Sequence, residues 1–91
     1  MNNTRRKQIR AIMTRLEELK AELETAKDDI EALLDEEQEA FDNMPEGLQE
    51  SERGEAMESA IEGLETAMDS VESAMDSVDE AIEGLEDSTN V

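Results

Sequence analysis

The last third of the chain repeats one seven-residue pattern four times. Residues 60–87 read AIEGLET, AMDSVES, AMDSVDE and AIEGLED, and their large apolar residues alternate at spacings of three and four. This spacing places the apolar residues along one stripe of a helix, and a second helix must cover that stripe. The pattern therefore predicts a coiled coil. Its seam consists of Ile61, Leu64, Met68, Val71, Met75, Val78, Ile82 and Leu85.

The first third of the chain carries a second apolar stripe with the same spacing. It consists of Ile9, Ile12, Leu16, Leu19, Leu23, Ile30 and Leu33, with Ala26 filling the one gap. A chain of 91 residues has room for one domain. The simplest way to cover both stripes is to pack them against each other. We therefore predict an all-α fold in which residues 1–91 form a single domain.

The segment between the two stripes contains the residues that interrupt a helix. Pro45, Gly47 and Gly54 all lie in it, and Ser51 can cap a following helix. We predict helix 1 at about residues 4–42, capped by Asn3 or Thr4. A turn with a short helical segment follows at 43–51, then helix 2 at about 52–87 and a frayed tail at 88–91.

The charges at the two chain ends favour an antiparallel helical hairpin. Residues 1–20 carry six basic and two acidic side chains, a net charge of +4, whereas residues 54–91 carry twelve acidic and no basic side chains. A hairpin brings these opposite charges together and joins the helices by a short connection. In the alignment that we favour, Lys20 faces Glu72, although a shift by one heptad would align the stripes equally well.

A column of small residues beside the second seam raises the question of a dimer. Alanine recurs every seventh residue from Ala60 to Ala81, and glycine or serine lies next to each alanine. Uncharged surface positions explain this column as well as a face that packs on a second hairpin. The sequence thus leaves open a homodimer in the form of an antiparallel four-helix bundle.

The composition argues against several classes of function. With no cysteine or histidine, the chain lacks catalytic thiols, imidazole bases and the usual zinc ligands. Its carboxylates are expected on solvated helix faces, so we predict that it is not an enzyme and uses no cofactor or metal. It has no apolar run long enough to span a membrane, and its first residues lack the apolar stretch of a secretion signal. A cytoplasmic protein is expected.

The acidic side chains form the candidate binding surface. The net charge is −19, which repels nucleic acid and anionic lipid and attracts basic protein surfaces. Ordinary exposed helices mix lysine with glutamate, so the absence of basic residues after Arg53 indicates a role for the charge. The predicted partner-binding face consists of Glu62, Glu65, Asp69, Glu72, Asp76, Asp79, Glu83 and Glu86.

The block FDNMPEGLQESERGEAMESAIEGLE at residues 41–64 resembles small acidic helical proteins of phages and prophages, whose roles are mostly unassigned. The resemblance implies a phage-encoded protein in the cytoplasm of a bacterial host. Small acidic phage proteins include nucleic-acid mimics that inhibit host defence nucleases. We therefore expect a protein that blocks a basic nucleic-acid-binding surface of a host protein, as an anti-CRISPR or anti-restriction inhibitor does. The alternative is a structural coiled coil that self-associates or bridges helical partners.

Overall fold

The chain folds almost entirely into α-helix. A computed structural model describes residues 1–90, and within them three helices follow in order. Helix α1 spans Asn3–Asp42, the one-turn helix α2 spans Glu46–Gln49, and α3 spans Glu52–Thr89. No strand occurs in this described part of the chain. The prediction of an all-helical protein is confirmed.

Polar side chains form hydrogen bonds to the backbone in the first turn of α1 and the last turn of α3. The bounds and the capping residue of these helices differ slightly from those predicted from the sequence. Asn2, not Asn3 or Thr4, caps α1, because its Oδ1 accepts a hydrogen bond of 2.8 Å from the backbone N–H of Arg5. At the far end of α3, the hydroxyls of Ser88 and Thr89 donate to the carbonyl oxygens of Gly84 and Glu86 at 2.9 and 2.7 Å. Helix α3 ends at Thr89, two residues beyond the predicted end at 87. Val91, the last residue of the predicted frayed tail, lies outside the described residues.

One amide side chain bridges two backbone carbonyls in the connection between α1 and α3. Nε2 of Gln49 donates to the carbonyl oxygens of Phe41 and Met44 at 3.0 and 3.1 Å. These carbonyls belong to the end of α1 and the turn after it, where the helix itself provides no donors. Ser51 then caps α3 through its Oγ, which accepts from the backbone N–H of Gly54 at 3.4 Å.

The residues separate into two compact units. Unit 1 contains Met1–Thr25 and the described residues from Val71 onward, and unit 2 contains Ala26–Ser70. In each unit a part of α1 packs against a part of α3. Among residues 1–90 the only buried apolar side chain is Ile61, 7% exposed, in unit 2. Most of the packing therefore consists of half-buried side chains rather than a closed core.

The half-buried stripe of α3 contains every residue of its predicted seam. In unit 1 these are Val71, Met75, Val78, Ile82 and Leu85. In unit 2 they are Ile61, Leu64 and Met68, and Met57 continues the stripe toward the start of α3. Half-burial of such a side chain contributes about 1 kcal/mol, so the stripe as a whole is the main apolar stabilisation that α3 provides.

The half-buried stripe of α1 differs from its predicted seam. Ile9, Leu16, Leu23 and Ile30 lie in the stripe, but Ile12, Leu19 and Leu33 are 42%, 43% and 54% exposed. The residues that follow them in sequence, Met13, Lys20 and Leu34, are half-buried instead. Apolar residues occupy three of the seven heptad positions of α1. A single partner helix does not cover all three positions, so one of them stays exposed. The packing of α1 is therefore rotated by one residue relative to the prediction at these positions.

Gly54, in the first turn of α3, is required by close packing. It is buried, and a Cβ atom placed on it would overlap the backbone carbonyl group of Gln49. By contrast, a Cβ on Gly63 or Gly84 would meet no atom within 4 Å. The two interior glycines of α3 are therefore not needed for contacts within the chain.

Alanine substitution should separate these two kinds of glycine. Gly54→Ala should lower the free energy of unfolding by about 1–3 kcal/mol, because the backbone of Gln49 must move to admit the methyl group. Gly63→Ala, the matched control, should raise it by up to about 1 kcal/mol through helix propensity. Urea unfolding followed by circular dichroism measures both. Equal effects of the two substitutions would contradict the close packing at Gly54.

Candidate acidic interaction surface

All eight carboxylates of the predicted binding face are exposed, but they divide between the two units. Glu62, Glu65 and Asp69 lie in unit 2. Glu72, Asp76, Asp79, Glu83 and Glu86 lie in unit 1. Each unit places its members along one side of α3, because spacings of three and four keep helical residues on one face.

The two units carry very different charges. Unit 1 combines the basic start of the chain with the acidic end of α3, and its six basic and eleven acidic side chains give a net charge of −5. Unit 2 has two basic and sixteen acidic side chains, a net charge of −14 in 45 residues. The strongest acidic surface therefore belongs to unit 2, whereas the sequence analysis spread it along the whole of helix 2.

An ion pair neutralises part of the acidic surface in unit 1. Nζ of Lys20 lies 2.7 Å from Oδ1 of Asp79, and the two side chains are 36% and 51% exposed. The hydrogen bond to Asp79 is the main reason that the pKa of Lys20 is raised above its ordinary value of 10.5. Partial desolvation opposes that rise, and the negative charges of Asp79, Glu24 and Asp76 add to it. Asp79 lies one heptad beyond Glu72, which the favoured alignment had placed opposite Lys20.

A shallow groove in unit 2 combines carboxylates with apolar side chains. Glu58, Glu62 and Glu65, which share one side of α3, line it together with Gln38, Phe41 and Ile61. Phe41 is the only aromatic residue of the chain, and it is half-buried here. Carboxylates beside an apolar floor suit a long basic side chain, whose methylene groups can lie on the floor while its charged end meets the carboxylates.

Of the three α3 carboxylates that line this groove, Glu62 and Glu65 belong to the binding face predicted from the sequence. Glu58 and Phe41 were missed, because both lie outside the four heptads that drew attention to helix 2. A signal was present, since Glu58 continues the three-and-four spacing of Glu62 and Glu65 toward the start of α3. Phe41 gave no such signal without knowledge of which residues it would meet.

Two further kinds of feature were sought among the described residues, and the chain was compared with known proteins. Across residues 1–90, no group of three or more potential metal-ligating side chains comes together. No helix in the same range has the length and apolar character needed to cross a bilayer. In comparisons with known proteins, no family model, curated protein or solved structure matches this chain. The resemblance to phage proteins therefore stays a prediction.

The ion pair of Lys20 with Asp79 should make stability depend on alkaline pH. Because folding raises the pKa of Lys20, its contribution is complete below pH about 10.5 and is lost as pH rises through the higher folded-state value. The wild-type protein should have a higher free energy of unfolding than Lys20→Met. The difference between the two should be constant from pH 7 to about 9.5 and should become smaller above pH about 10.5.

Urea unfolding of both proteins over this pH range provides the measurement, and Lys7→Met serves as a control for loss of a lysine elsewhere in unit 1. A difference between wild type and Lys20→Met that stays constant to pH about 12 would contradict the role of the ion pair.

Proposed function

We propose that this protein is a non-enzymatic acidic binding protein that occupies a basic, nucleic-acid-binding surface of another protein. The observation that carries the proposal is the net charge of −14 in unit 2. The helical segments of this unit are 17 and 19 residues long, which corresponds to about 28 Å at 1.5 Å per residue. Unit 2 thus has about one net negative charge per 2 Å, close to the value of about 1.7 Å for duplex DNA.

The chemistry of the groove supports a protein partner rather than a diffuse ion atmosphere. Surfaces that bind nucleic acid present arginine and lysine side chains spaced to meet phosphates. The carboxylates of Glu58, Glu62 and Glu65 can accept hydrogen bonds from such side chains, and Phe41 and Ile61 offer them an apolar contact. A nucleic acid would be repelled by the same surface.

The resemblance of residues 41–64 to phage proteins suggests the biological setting of the proposed binding protein. In that setting the protein is encoded by a phage, acts in the cytoplasm of a bacterial host and inhibits a defence nuclease of the CRISPR or restriction type by mimicking DNA. The contact is electrostatic, so it needs neither a cofactor nor a metal.

The architecture that we propose for this protein is an antiparallel helical hairpin. Its support is that unit 1 contains the beginning of α1 and the end of α3, whereas unit 2 contains the end of α1 and the beginning of α3. Opposite ends of two helices come together in this way when the chain reverses direction between them. The short connection at residues 43–51 and the hydrogen bonds of Gln49 are consistent with that reversal.

A second candidate function is a structural coiled coil that self-associates or bridges helical partners. The observation that favours it is the exposure of Ile12, Leu19 and Leu33 on α1. Such contacts are apolar and change little with salt, which distinguishes this candidate from the acidic mimic.

Two matched charge reversals test the proposed mimicry. Glu58, Glu62 and Glu65 are replaced by lysine in one variant, and Glu80, Glu83 and Glu86 of unit 1 in the other, so that the net charge changes equally. The assay is competition with labelled duplex DNA for a panel of bacterial restriction and CRISPR nucleases at about 50 mM salt. The wild-type protein should displace DNA from at least one nuclease. The unit 2 variant should do so at least about tenfold more weakly, because it loses paired charges, and the unit 1 variant should retain most of the activity.

Salt and circular dichroism complete this test. Binding of the wild-type protein to the nuclease, measured directly without DNA, should disappear near 500 mM salt, because screening removes contacts between exposed charges. Both variants should remain helical. Equal loss of activity in the two variants would argue for total charge rather than the unit 2 surface. Displacement of no nuclease, or direct binding to a nuclease that is unaffected by salt, would contradict the mimic and favour the coiled-coil candidate.

A further inference from the structure

Unit 1 exposes an apolar face on α1 that its packing with α3 does not cover. Ile12 and Leu19, one heptad apart, are 42% and 43% exposed. Together with Leu16 they line a shallow groove, and the other residues that line it are Arg15, Glu18 and Glu22. Isolated exposed apolar side chains are ordinary on protein surfaces, but two at heptad spacing beside a third form the kind of stripe that packs on a helix.

This face borders the stripe that α1 uses within unit 1, and Leu16 belongs to both. Successive residues of an α-helix are about 100° apart around its axis. Ile12 and Leu19 each precede a half-buried residue, Met13 and Lys20 respectively. Ile12 and Leu19 therefore lie less than about a quarter turn from the centre of the half-buried stripe, on a side of α1 where their own side chains are exposed.

The charges beside the face indicate which molecule covers it. Arg15 and Glu22 are one heptad apart on the same side of α1, and Glu18 lies between them in sequence, so the groove is lined by one basic and two acidic side chains. An antiparallel copy of the same helix, related by a two-fold axis near Leu19, would place Arg15 beside Glu22 of the second copy. The rotation creates this pair twice, because a two-fold interface repeats each contact.

The distribution of charge along the chain also favours this region for self-association. Unit 1 has a net charge of −5, whereas unit 2 has a net charge of −14. Two copies that approach through unit 1 therefore meet less repulsion than a contact through unit 2 would produce.

We propose that the face formed by Ile12, Leu16 and Leu19 is a homodimer interface, in which two α1 helices pack antiparallel and Arg15 pairs with Glu22 of the second copy. This interface differs from the alanine column of α3 that the sequence analysis considered. It does not depend on the proposed function, because its residues belong to unit 1 and the groove for basic side chains belongs to unit 2.

Sedimentation equilibrium of the full chain between about 1 μM and 1 mM tests whether the dimer forms, a range that covers weak helix–helix contacts. The wild-type mass should rise from monomer toward dimer. Leu19→Glu should weaken association at least about tenfold, because each copy would place a carboxylate at the two-fold axis. Leu48→Glu is the matched control, since Leu48 is 53% exposed but lies in α2. It should associate like the wild type.

A charge swap tests the proposed orientation. Arg15→Glu and Glu22→Arg should each weaken self-association several-fold, because each places like charges opposite one another in both pairs. When the two variants are mixed, every pair between unlike copies is again one arginine and one glutamate. The mixture should therefore associate more tightly than either variant alone. Both positions are exposed on α1, and this comparison does not depend on the behaviour of Leu19→Glu.

Three outcomes would overturn the proposal. A wild-type protein that stays monomeric up to about 1 mM would exclude the dimer at any useful affinity. A dimer that Leu19→Glu leaves unchanged would place the interface elsewhere, for example on the alanine column of α3. A mixture of the two charge variants that associates no better than either alone would exclude the antiparallel pairing of Arg15 with Glu22.

Discussion

The structure depends on the packing of two long helices along half-buried stripes. Among residues 1–90 only Ile61 is a buried apolar side chain, so neither unit has a closed core. A helix of this composition has little stability by itself, and most of it must come from the apolar face that a neighbour covers. The packing covers some residues and leaves others in contact with water. That division determines both the exposed apolar residues of α1 and the position of the acidic surface.

The choice between heptad positions on α1 is one such consequence. α3 has one stripe of large apolar residues, so its half-buried face could be predicted from the sequence. On α1, Met13 follows Ile12 and Leu34 follows Leu33, so two neighbouring stripes compete for the same partner. The spacing does not decide between them. In the structure the stripe that contains Lys20 is covered, and Lys20 forms an ion pair with Asp79 of α3. Leu19, in the competing stripe, is exposed.

The sequence predicted the kind of side chain that forms the candidate site, but it did not predict where along α3 the strongest negative charge lies. Exposed carboxylates on α3 follow directly from the heptads, and the structure exposes all eight that were predicted. Their division between a unit of charge −5 and a unit of charge −14 depends on which parts of the chain pack together. That pairing brings the basic start of α1 into unit 1 and leaves unit 2 almost without basic residues. Glu58 and Phe41 could be recognised as residues of the groove only from this arrangement.

The alignment of α1 with α3 in unit 1 can be tested by cross-linking, because the chain has no native cysteine. The protein would be prepared with the pair Lys20→Cys and Asp79→Cys, or with the pair Lys20→Cys and Glu72→Cys, and treated with a short thiol cross-linker. The two positions on α3 are about 10 Å apart along its axis. The structure predicts rapid cross-linking within one chain for residues 20 and 79, and little for residues 20 and 72. Preferential cross-linking of residues 20 and 72 would contradict the account.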